Sequence, residues 1–333
     1  MQRIGVIGAG AWGTALALAA TRAGRQTTLW AREQAVADAI NGQHENPDYL
    51  PGLPLDPSLR ATTDALAVLA AADAVLLVVP AQHLRATCAT LAPHWRPGVP
   101  ALICAKGIEQ GSGQLMSEVA AETLPATVPL VALSGPSFAA EVARGLPTAV
   151  TLACEDQALG TSLLSALGSR SFRPYLSADL IGAEVGGAVK NVLAIACGVL
   201  EGRAMGDNAR AALLTRGLAE ITRLGVAKGG LPGTFMGLSG MGDLLLTATS
   251  MQSRNFSLGF ALGEGKSLSA ILAGRKAVTE GVFTAAAVVA LAEQLGVDMP
   301  ICQAVDAILN RGADVEQVVA ALLSRPFRVE LEH

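Results

Sequence analysis

Ile4-Gly5-Val6-Ile7-Gly8-Ala9-Gly10-Ala11-Trp12-Gly13 opens the chain, and this stretch predicts the fold around it. Its first residues are apolar or small, as in a buried strand, and Thr14–Ala23 continues with the pattern of a helix. The glycines between them form the motif G-x-G-x-x-G. That motif is weak alone, but it is informative where a strand leads into it and a helix follows. The stretch therefore predicts a strand–turn–helix unit that binds a dinucleotide.

Each glycine of this turn has a separate physical role. Gly8 permits the tight turn, Gly10 lets the backbone approach a pyrophosphate, and Gly13 lets the helix pack closely on the sheet. The helix N-terminus adds free amides and a partial positive charge. About 20 residues on, where an acidic residue would bind a ribose 2′-hydroxyl, the chain has Arg32 and then Glu33. Arg32 favours NADP, because a guanidinium pairs with a 2′-phosphate, while Glu33 keeps NAD possible.

Short apolar runs alternate with helical patterns through the first half of the chain. The predicted strands are Arg3–Ile7, Thr27–Ala31, Ala74–Val79, Pro100–Cys104, Pro129–Leu133 and Ala149–Ala153. The predicted helices are Trp12–Ala23, Gln34–Asn41, Gln82–Leu91, Gln114–Thr123 and Gln157–Leu167. Continuous apolar strands separated by helices indicate a doubly wound parallel sheet covered on both faces, which is a Rossmann-type α/β domain.

After about Pro174 the strand-like runs end and an all-α C-terminal domain is predicted. Its helices are Ala183–Glu201, Ala209–Lys228, Phe256–Gly263, Phe283–Leu295 and Cys302–Asn310. A length of 333 residues also favours two domains over one core. We expect a dinucleotide-binding domain over residues 1–178 and a helical substrate-binding domain over residues 179–333.

The composition excludes several classes of protein. Hydrophobic residues make up 51% and charged residues 16%, which is typical of a globular chain. The net charge of −4 comes without a basic stripe, so nucleic acid is not an expected partner. The longest apolar stretch, Ala65–Pro80, is interrupted by Asp73 and is shorter than the roughly 18 residues that indicate a membrane span.

The same reasoning predicts location and metal content. The N-terminus lacks the apolar region of a signal peptide, so a cytoplasmic protein is expected, with no stable membrane insertion. Five scattered cysteines without a Cys-x-x-Cys motif indicate reduced thiols. The four histidines lack ligand spacing, and no metal site is predicted.

Oxidation of an alcohol by a dinucleotide needs a group that accepts the hydroxyl proton, and two lysines are placed for it. Lys106 directly follows a predicted strand, at the sheet edge where ligands bind. Lys190 lies in an apolar helix after the small residues Gly186, Gly187 and Ala188, and burying a lysine without a partner is costly. The other interpretation of Lys190 is a side chain that reaches solvent at the helix edge.

Three further motifs carry polar residues beside apolar elements. Gly237–Asp243 is a glycine-rich turn that ends in a carboxylate, and Gly135-Pro136-Ser137 follows a strand. Ser253-Arg254-Asn255 precedes an apolar helix, and its arginine suits a phosphate group. Each is weak alone, because a helix cap explains Ser253, Asn255 or Asp243 equally well.

Taken in order along the chain, these motifs resemble those of bacterial NAD(P)-dependent glycerol-3-phosphate dehydrogenases. The matching blocks are Gly8–Ala17, Lys106–Glu109, Ser134–Ala139, Glu184–Gly202, Gly237–Asp243, Ser253–Asn255 and Val278–Gly281. The resemblance covers nearly the whole chain. It implies reversible reduction of dihydroxyacetone phosphate to sn-glycerol 3-phosphate with NADP or NAD, for glycerophospholipid synthesis, in a homodimer.

The resemblance also implies roles for single residues, with Lys190 as the residue that transfers the proton. The residues implied around the substrate are Lys106, Gly135, Ser137, Lys190, Asp243, Ser253, Arg254 and Asn255. Besides the three glycines of the turn, the residues implied at the cofactor are Ala11, Trp12, Arg32, Tyr49, Lys106, Ala139, Arg254, Val278 and Glu280. The chain departs from the family at Ala11, where serine is common, and at Glu33, where a basic or neutral residue is common.

Two other functions fit part of the sequence. Dehydrogenases of 3-hydroxy acids also carry a Lys-Asn pair on the first helix of a helical domain, as at Lys190-Asn191. The block Ser253–Asn255 together with Asp243 favours a small phosphorylated substrate instead. A nucleotide-sensing protein without turnover would need the glycine turn, but it would not need Lys106, Lys190 and Asp243 together.

Overall fold

The computed structural model describes residues 1–274 and 279–326, and within these ranges eight strands form one sheet in the order β3-β2-β1-β4-β5-β6-β7-β8. The strands are β1 Arg3–Ile7, β2 Gln26–Trp30, β3 Arg60–Thr62, β4 Ala74–Leu77, β5 Ala101–Ile103, β6 Leu130–Ser134, β7 Thr148–Ala153 and β8 Phe172–Ser177. The chain order reverses between β1 and β4. In a sheet of this type, ligands bind at the carboxyl ends of the strands beside that reversal.

The sheet contains the six predicted strands and two that the sequence did not predict. β3 has three residues, too few to show an apolar alternation. β8 contains Pro174 and the exposed Arg173 and Tyr175, which is tolerated because β8 is an edge strand. The described strands do end near Pro174, at Ser177, but the sequence analysis did not predict β8 itself. In the described sheet, β6 and β7 pair antiparallel while the other neighbours pair parallel, so the all-parallel expectation fails at that pair.

Helices cover both faces of the sheet, as expected for a doubly wound fold. They are α1 Ala11–Arg22, α2 Gln34–Gln43, α3 Ala65–Ala71, α4 Leu84–Leu91, α5 Met116–Thr123, α6 Ala139–Arg144 and α7 Gln157–Leu167. The apolar stretch Ala65–Pro80 divides into α3 and the buried strand β4. Asp64 begins α3 by accepting hydrogen bonds from two backbone amides, those of Leu66 and Ala67.

After β8 the described chain is helical. The elements are α8 Leu180–Gly202, α9 Asp207–Ala227, α10 Pro232–Phe235, α11 Asp243–Ala248, α12 Arg254–Gly263, α13 Leu268–Ala273, α14 Glu280–Leu295, α15 Pro300–Asn310 and α16 Val315–Leu323. The buried Asp179 caps α8 through Gly182 N, at 2.8 Å, and accepts a bond from Thr234 Oγ1 at 2.6 Å. We propose the domain boundary here, between residues 178 and 179.

α8 is the central helix of the C-terminal domain. By length and composition it could span a bilayer, but 89% of its most apolar window is buried inside the protein, as in a core helix. It packs on α12 through glycines on both helices. A Cβ at Gly198 would lie 2.1 Å from Phe256 O, and a Cβ at Gly259 would lie 2.0 Å from Ile195 O. This backbone contact fixes α12 against the helix that carries Lys190.

Candidate active site

The polar cluster at the centre of the molecule joins the two parts of the chain. Lys106 follows β5 and Gly135 follows β6, so both lie at the carboxyl edge of the sheet. Lys190 reaches this edge from α8, and Asp243 reaches it from the first residue of α11. Asp243 does not cap its helix, because its carboxylate binds the two lysines.

One buried carboxylate holds both ammonium groups. Lys190 Nζ lies 3.0 Å from Asp243 Oδ1, and Lys106 Nζ lies 2.8 Å from Asp243 Oδ2. The side chain of Asp243 is 1% exposed, that of Lys190 is 8% exposed and that of Lys106 is 15% exposed. Lys190 is therefore a buried, paired lysine rather than one that reaches solvent at the helix edge.

Small residues on α8 permit this approach. A Cβ at Gly186 would lie 2.5 Å from Ser239 O, and a Cβ at Gly187 would lie 2.5 Å from Ser134 Oγ. Side chains at these positions would push away β6 and the π-helical turn at 238–242 that leads into Asp243. The glycines one turn before Lys190 thus let the backbone come close enough to place Asp243 beside it.

The electrostatics of the cluster favour proton exchange near neutral pH. Burial lowers the pKa of Lys190 to about 8; the charge of Lys106 acts in the same direction, and Asp243 opposes both. Burial alone would raise the pKa of Asp243, but the two ammonium groups outweigh it and hold that pKa below its usual value. A stable carboxylate therefore stands beside an amine that can both give and take a proton.

The substrate residues predicted after β6 contact Lys106. Lys106 Nζ donates to Gly135 O at 2.8 Å and lies 3.4 Å from Ser137 Oγ. Ser137 Oγ also donates to Gly135 O, at 2.9 Å. Lys106, Gly135, Ser137 and Asp243 are therefore in one hydrogen-bonded group with Lys190.

Sequence reasoning missed Thr247, which completes this group. Lys190 Nζ donates to Thr247 Oγ1 at 2.7 Å, and Thr247 Oγ1 lies 3.2 Å from Asp243 Oδ1. The signal was present, because residues four apart on a helix share a face and Thr247 follows Asp243 by four. The hydroxyl gives the Lys190 ammonium a second acceptor, which fixes its direction.

Asn255 lies close to this group, but its described contacts are internal. Asn255 Nδ2 donates to Asn191 Oδ1 at 2.8 Å, and Asn191 Nδ2 donates to Lys106 O at 3.1 Å. Asn255 Oδ1 accepts a bond from Gly281 N at 3.0 Å. Asn191, which the sequence analysis also missed as a site residue, therefore connects Asn255 on α12 to the backbone of Lys106.

Ser253 and Arg254 stand at the start of α12. Ser253 Oγ caps the helix by accepting from Phe256 N at 3.2 Å, as the cap interpretation predicts. Arg254 is exposed, and it interacts electrostatically with Glu280 at the start of α14. Glu280 Oε1 accepts from Ala81 N at 3.2 Å, while its buried Oε2 has no partner among the described residues.

The glycine turn leaves space for a ligand. At Gly8, φ is +120° and a Cβ would lie 2.8 Å from Val78 O, while a Cβ at Gly13 would lie 1.8 Å from Gly8 O. A Cβ at Gly10 would meet nothing within 4 Å. Gly10 begins α1 without a side-chain cap, so Ala11 and Trp12 present backbone amides at the open end. This turn fits the phosphates of a dinucleotide.

The remaining predicted cofactor residues lie on other parts of the chain. Arg32 follows β2, is 79% exposed on its side chain, and pairs with Glu33 at 2.6 Å. Tyr49 is 38% exposed and interacts electrostatically with Arg32. Ala139 is the first residue of α6, and Val278 lies outside the described residues.

Side chains that could bind a metal ion are not clustered in the ranges that the structure describes. No group of three or more histidine, cysteine or acidic side chains in those ranges could hold an ion. The five cysteines are buried thiols without disulfides.

Sequence models of one family match both halves of the chain. The N-terminal model of NAD-dependent glycerol-3-phosphate dehydrogenase matches residues 3–160, and the C-terminal model matches residues 179–320. The chain belongs to the NAD-dependent glycerol-3-phosphate dehydrogenase family. The resemblance drawn from the motifs is thereby confirmed.

Individual family members are similar over their full lengths. The glycerol-3-phosphate dehydrogenase [NAD(P)+] of Rhodospirillum rubrum is 63% identical over 99% of this chain and 94% of its own. That of Parvibaculum lavamentivorans is 59% identical over 99% of this chain and 98% of its own. The crystal structure of glycerol-3-phosphate dehydrogenase from Coxiella burnetii is 40% identical, with a TM-score of 0.93 over 97% of this chain and 99% of its own. The predicted fold class is confirmed by this likeness.

Proposed function

We propose that the chain reversibly reduces dihydroxyacetone phosphate to sn-glycerol 3-phosphate with NADP or NAD, and that the product serves glycerophospholipid synthesis. The observation that carries the proposal is the buried Lys190–Asp243–Lys106 group at the carboxyl edge of the sheet that also presents the glycine turn. Family membership supports it, since the similar proteins are named glycerol-3-phosphate dehydrogenase [NAD(P)+].

Lys190 donates and accepts the proton in this reaction. A dinucleotide held at the glycine turn Gly8–Gly13 would supply or accept the hydride at carbon 2 of the substrate. As the carbonyl oxygen gains negative charge, the Lys190 ammonium donates a proton to it. In the reverse direction the neutral amine takes the proton from the hydroxyl group. A pKa of about 8 makes both forms accessible near neutral pH.

The charges of the cluster suit an anionic substrate. Two lysines share one carboxylate, so the buried group has an excess of one positive charge when all three are ionised. Arg254 adds a further positive charge at the start of α12, where backbone amides also favour an anion. A phosphate monoester carries nearly two negative charges and a 3-hydroxy acid only one, so these positive groups favour a phosphorylated ketone over the 3-hydroxy acid considered from the sequence.

The absorbance of reduced nicotinamide tests the proposal directly. The chain is mixed with NADPH or NADH, and either dihydroxyacetone phosphate or a 3-keto acid is added. Loss of absorbance with the phosphorylated ketone alone is expected. Loss with the keto acid alone would assign the chain to the hydroxy acid dehydrogenases. Cofactor binding without turnover on either would indicate a nucleotide sensor.

Replacing Arg254 with alanine should raise the KM for dihydroxyacetone phosphate strongly. A charge-assisted contact to phosphate corresponds to roughly a 10- to 100-fold change. Initial rates over a range of substrate concentrations measure it. Unphosphorylated dihydroxyacetone is the control, because it has no phosphate to lose. An equal loss with that analogue would show that Arg254 does not bind the phosphate.

We propose that NADP is used at least as well as NAD, because Arg32 is exposed where a 2′-phosphate would lie. Arg32→Ala should reduce kcat/KM with NADPH about tenfold more than with NADH, as expected for a charge-assisted hydrogen bond. Glu33 competes for the same guanidinium, but exposed ion pairs are weak, and a phosphate should displace it. Glu33→Gln is the matched variant and should improve the use of NADPH. Equal losses with both cofactors in Arg32→Ala would contradict the assignment.

We propose further that the protein is a cytoplasmic homodimer. The resemblance to the family implies the homodimer, and the exposed apolar side chains of Leu231 and Met236, at 60% and 61%, are candidate contacts for a second copy. Light scattering measures the mass in solution, and a monomer mass would contradict the dimer.

A further inference from the structure

A side chain from outside the glycine turn holds the turn in place. Asn46 lies between α2 and β3 and is 0% exposed. Its Nδ2 donates to Ala9 O at 2.9 Å and to Thr14 Oγ1 at 2.8 Å. Thr14 Oγ1 also lies 3.4 Å from Ala9 O, in position to donate to it. Two side chains therefore converge on one backbone carbonyl, that of the residue between Gly8 and Gly10.

The side-chain amide of Asn46 forms hydrogen bonds through its nitrogen but not through its oxygen. Its Oδ1 is buried and has no hydrogen-bond partner among the described residues. Burying an unpaired carbonyl oxygen is unfavourable, and an apolar side chain of the same size would avoid the penalty. Packing alone therefore does not explain asparagine at this position, whereas its two donated hydrogen bonds do.

Holding Ala9 O also fixes the amide of the next residue. Ala9 C=O and Gly10 N–H belong to one planar trans peptide, in which the two bonds point in opposite directions. With the carbonyl tied to Asn46 and Thr14, Gly10 N–H must face the other side of the turn. We propose that Asn46 is a positioning residue for the dinucleotide, which aims Gly10 N–H at the pyrophosphate. This inference rests on the proposed function.

The rest of the segment makes Asn46 a rigid support. Leu50 N donates to Asn46 O at 2.8 Å, and Tyr49 N lies 3.3 Å from the same oxygen. The turn that carries Tyr49 is thus attached to the glycine turn through one residue. Glycines give the Ala9–Gly10 peptide much conformational freedom, and a group fixed before the ligand arrives binds it more tightly.

Asn46→Leu tests the proposal, with Asn41→Leu as the matched control. Asn41 makes the same kind of contact near the end of α2, pairing with the backbone of Ala61 through Nδ2 at 2.8 Å and Oδ1 at 2.9 Å, but it does not contact the glycine turn. Binding of NADPH and NADH to the full chain is measured by quenching of tryptophan fluorescence. Asn46→Leu should raise both Kd values about tenfold, since one fixed amide is lost. Asn41→Leu should leave them unchanged.

A measurement without ligand separates positioning from general loosening. In protein labelled with ¹⁵N-glycine, the Gly10 amide resonance is identified by its loss in Gly10→Ala. That resonance should shift in ligand-free Asn46→Leu and stay in place in Asn41→Leu. A raised Kd with an unmoved Gly10 resonance would overturn the positioning role.

The remaining outcomes are also decisive. A folded Asn46→Leu protein with the wild-type Kd overturns the inference and leaves the proposed function intact. A wild-type chain that binds neither dinucleotide overturns both. If Asn46→Leu does not fold, Thr14→Val carries the test, because it removes the hydroxyl that contacts both Asn46 and Ala9 O. Thr14→Val should raise Kd about threefold, and an unchanged Kd would overturn the proposal.

Discussion

Replacing Lys190 with alanine or methionine is expected to lower turnover by about 10²- to 10⁴-fold, the usual contribution of a general acid or base. The residue is buried, it is held by Asp243 and Thr247, and its pKa lies near 8. Asp243 keeps Lys106 as a partner at 2.8 Å in these variants, so the carboxylate is not left unpaired and the fold should survive. Steady-state rates with dihydroxyacetone phosphate measure the loss.

The pH profile distinguishes proton transfer from a packing role. Reduction needs the ammonium form of Lys190, so wild-type kcat for reduction should fall as the pH rises through about 8. Oxidation needs the neutral amine, so its kcat should rise through the same range. Both inflections should be absent from Lys190→Met.

Lys228→Met is the matched control for this experiment. Lys228 is also partly buried and paired, with Glu118 at 2.7 Å, but it lies outside the cluster. Its replacement should leave turnover and both pH profiles unchanged. Near-native turnover in Lys190→Met would remove Lys190 from the chemistry and leave it as a packed side chain.

Gly10→Val is expected to weaken dinucleotide binding by roughly 100-fold or more, since it blocks several phosphate contacts at the helix N-terminus at once. The backbone at Gly10, with φ −68° and ψ 179°, is one that any residue adopts. A Cβ there meets no protein atom within 4 Å. Glycine is therefore required at this position because a side chain would occupy the space left for the phosphates, and not because of its backbone conformation.

Because Gly10→Val should affect ligand binding but not the backbone conformation, its effects on binding and on folding can be measured separately. Circular dichroism and the melting temperature of Gly10→Val should match the wild type, while fluorescence quenching by NADPH should need far higher concentrations. Gly42→Val is the control, because Gly42 also has open space around it but lies on α2, away from the turn. Native affinity in Gly10→Val would place the phosphates somewhere other than this turn.

Local patterns predicted the parts of the fold that local chemistry determines. The strand, glycine turn and helix at the N-terminus follow from ten consecutive residues, and α7 has the predicted bounds, with Asp156 as its cap. β8 was missed because Pro174 and exposed side chains hide an edge strand. The antiparallel pairing of β6 with β7 depends on the path of the chain between them, for which no short pattern exists.

The sequence pointed to Lys106, Lys190 and Asp243 individually, but it did not point to Thr247 or Asn191, and it did not show how these residues are arranged. Lys106 stood out because it follows a strand, at the sheet edge where ligands bind, and Lys190 stood out because a lysine inside an apolar helix is unusual. Their common bond to Asp243 joins residues 137 and 53 positions apart, which only tertiary packing can reveal. Asn46 was missed for the same reason, since its contact with Ala9 spans 37 positions.

The glycine contact between α8 and α12 limits how this enzyme can be re-engineered. Four glycines, two on each helix, bring backbone against backbone: Gly198, Gly202, Gly259 and Gly263. No side chain separates the helices there, so no substitution can widen or narrow the gap gradually; even alanine would force the backbones apart. The distance from Lys190 to the start of α12 is in effect constant. A library aimed at longer phosphorylated ketones should therefore leave these glycines untouched and vary the short turns that enter α11 and α12.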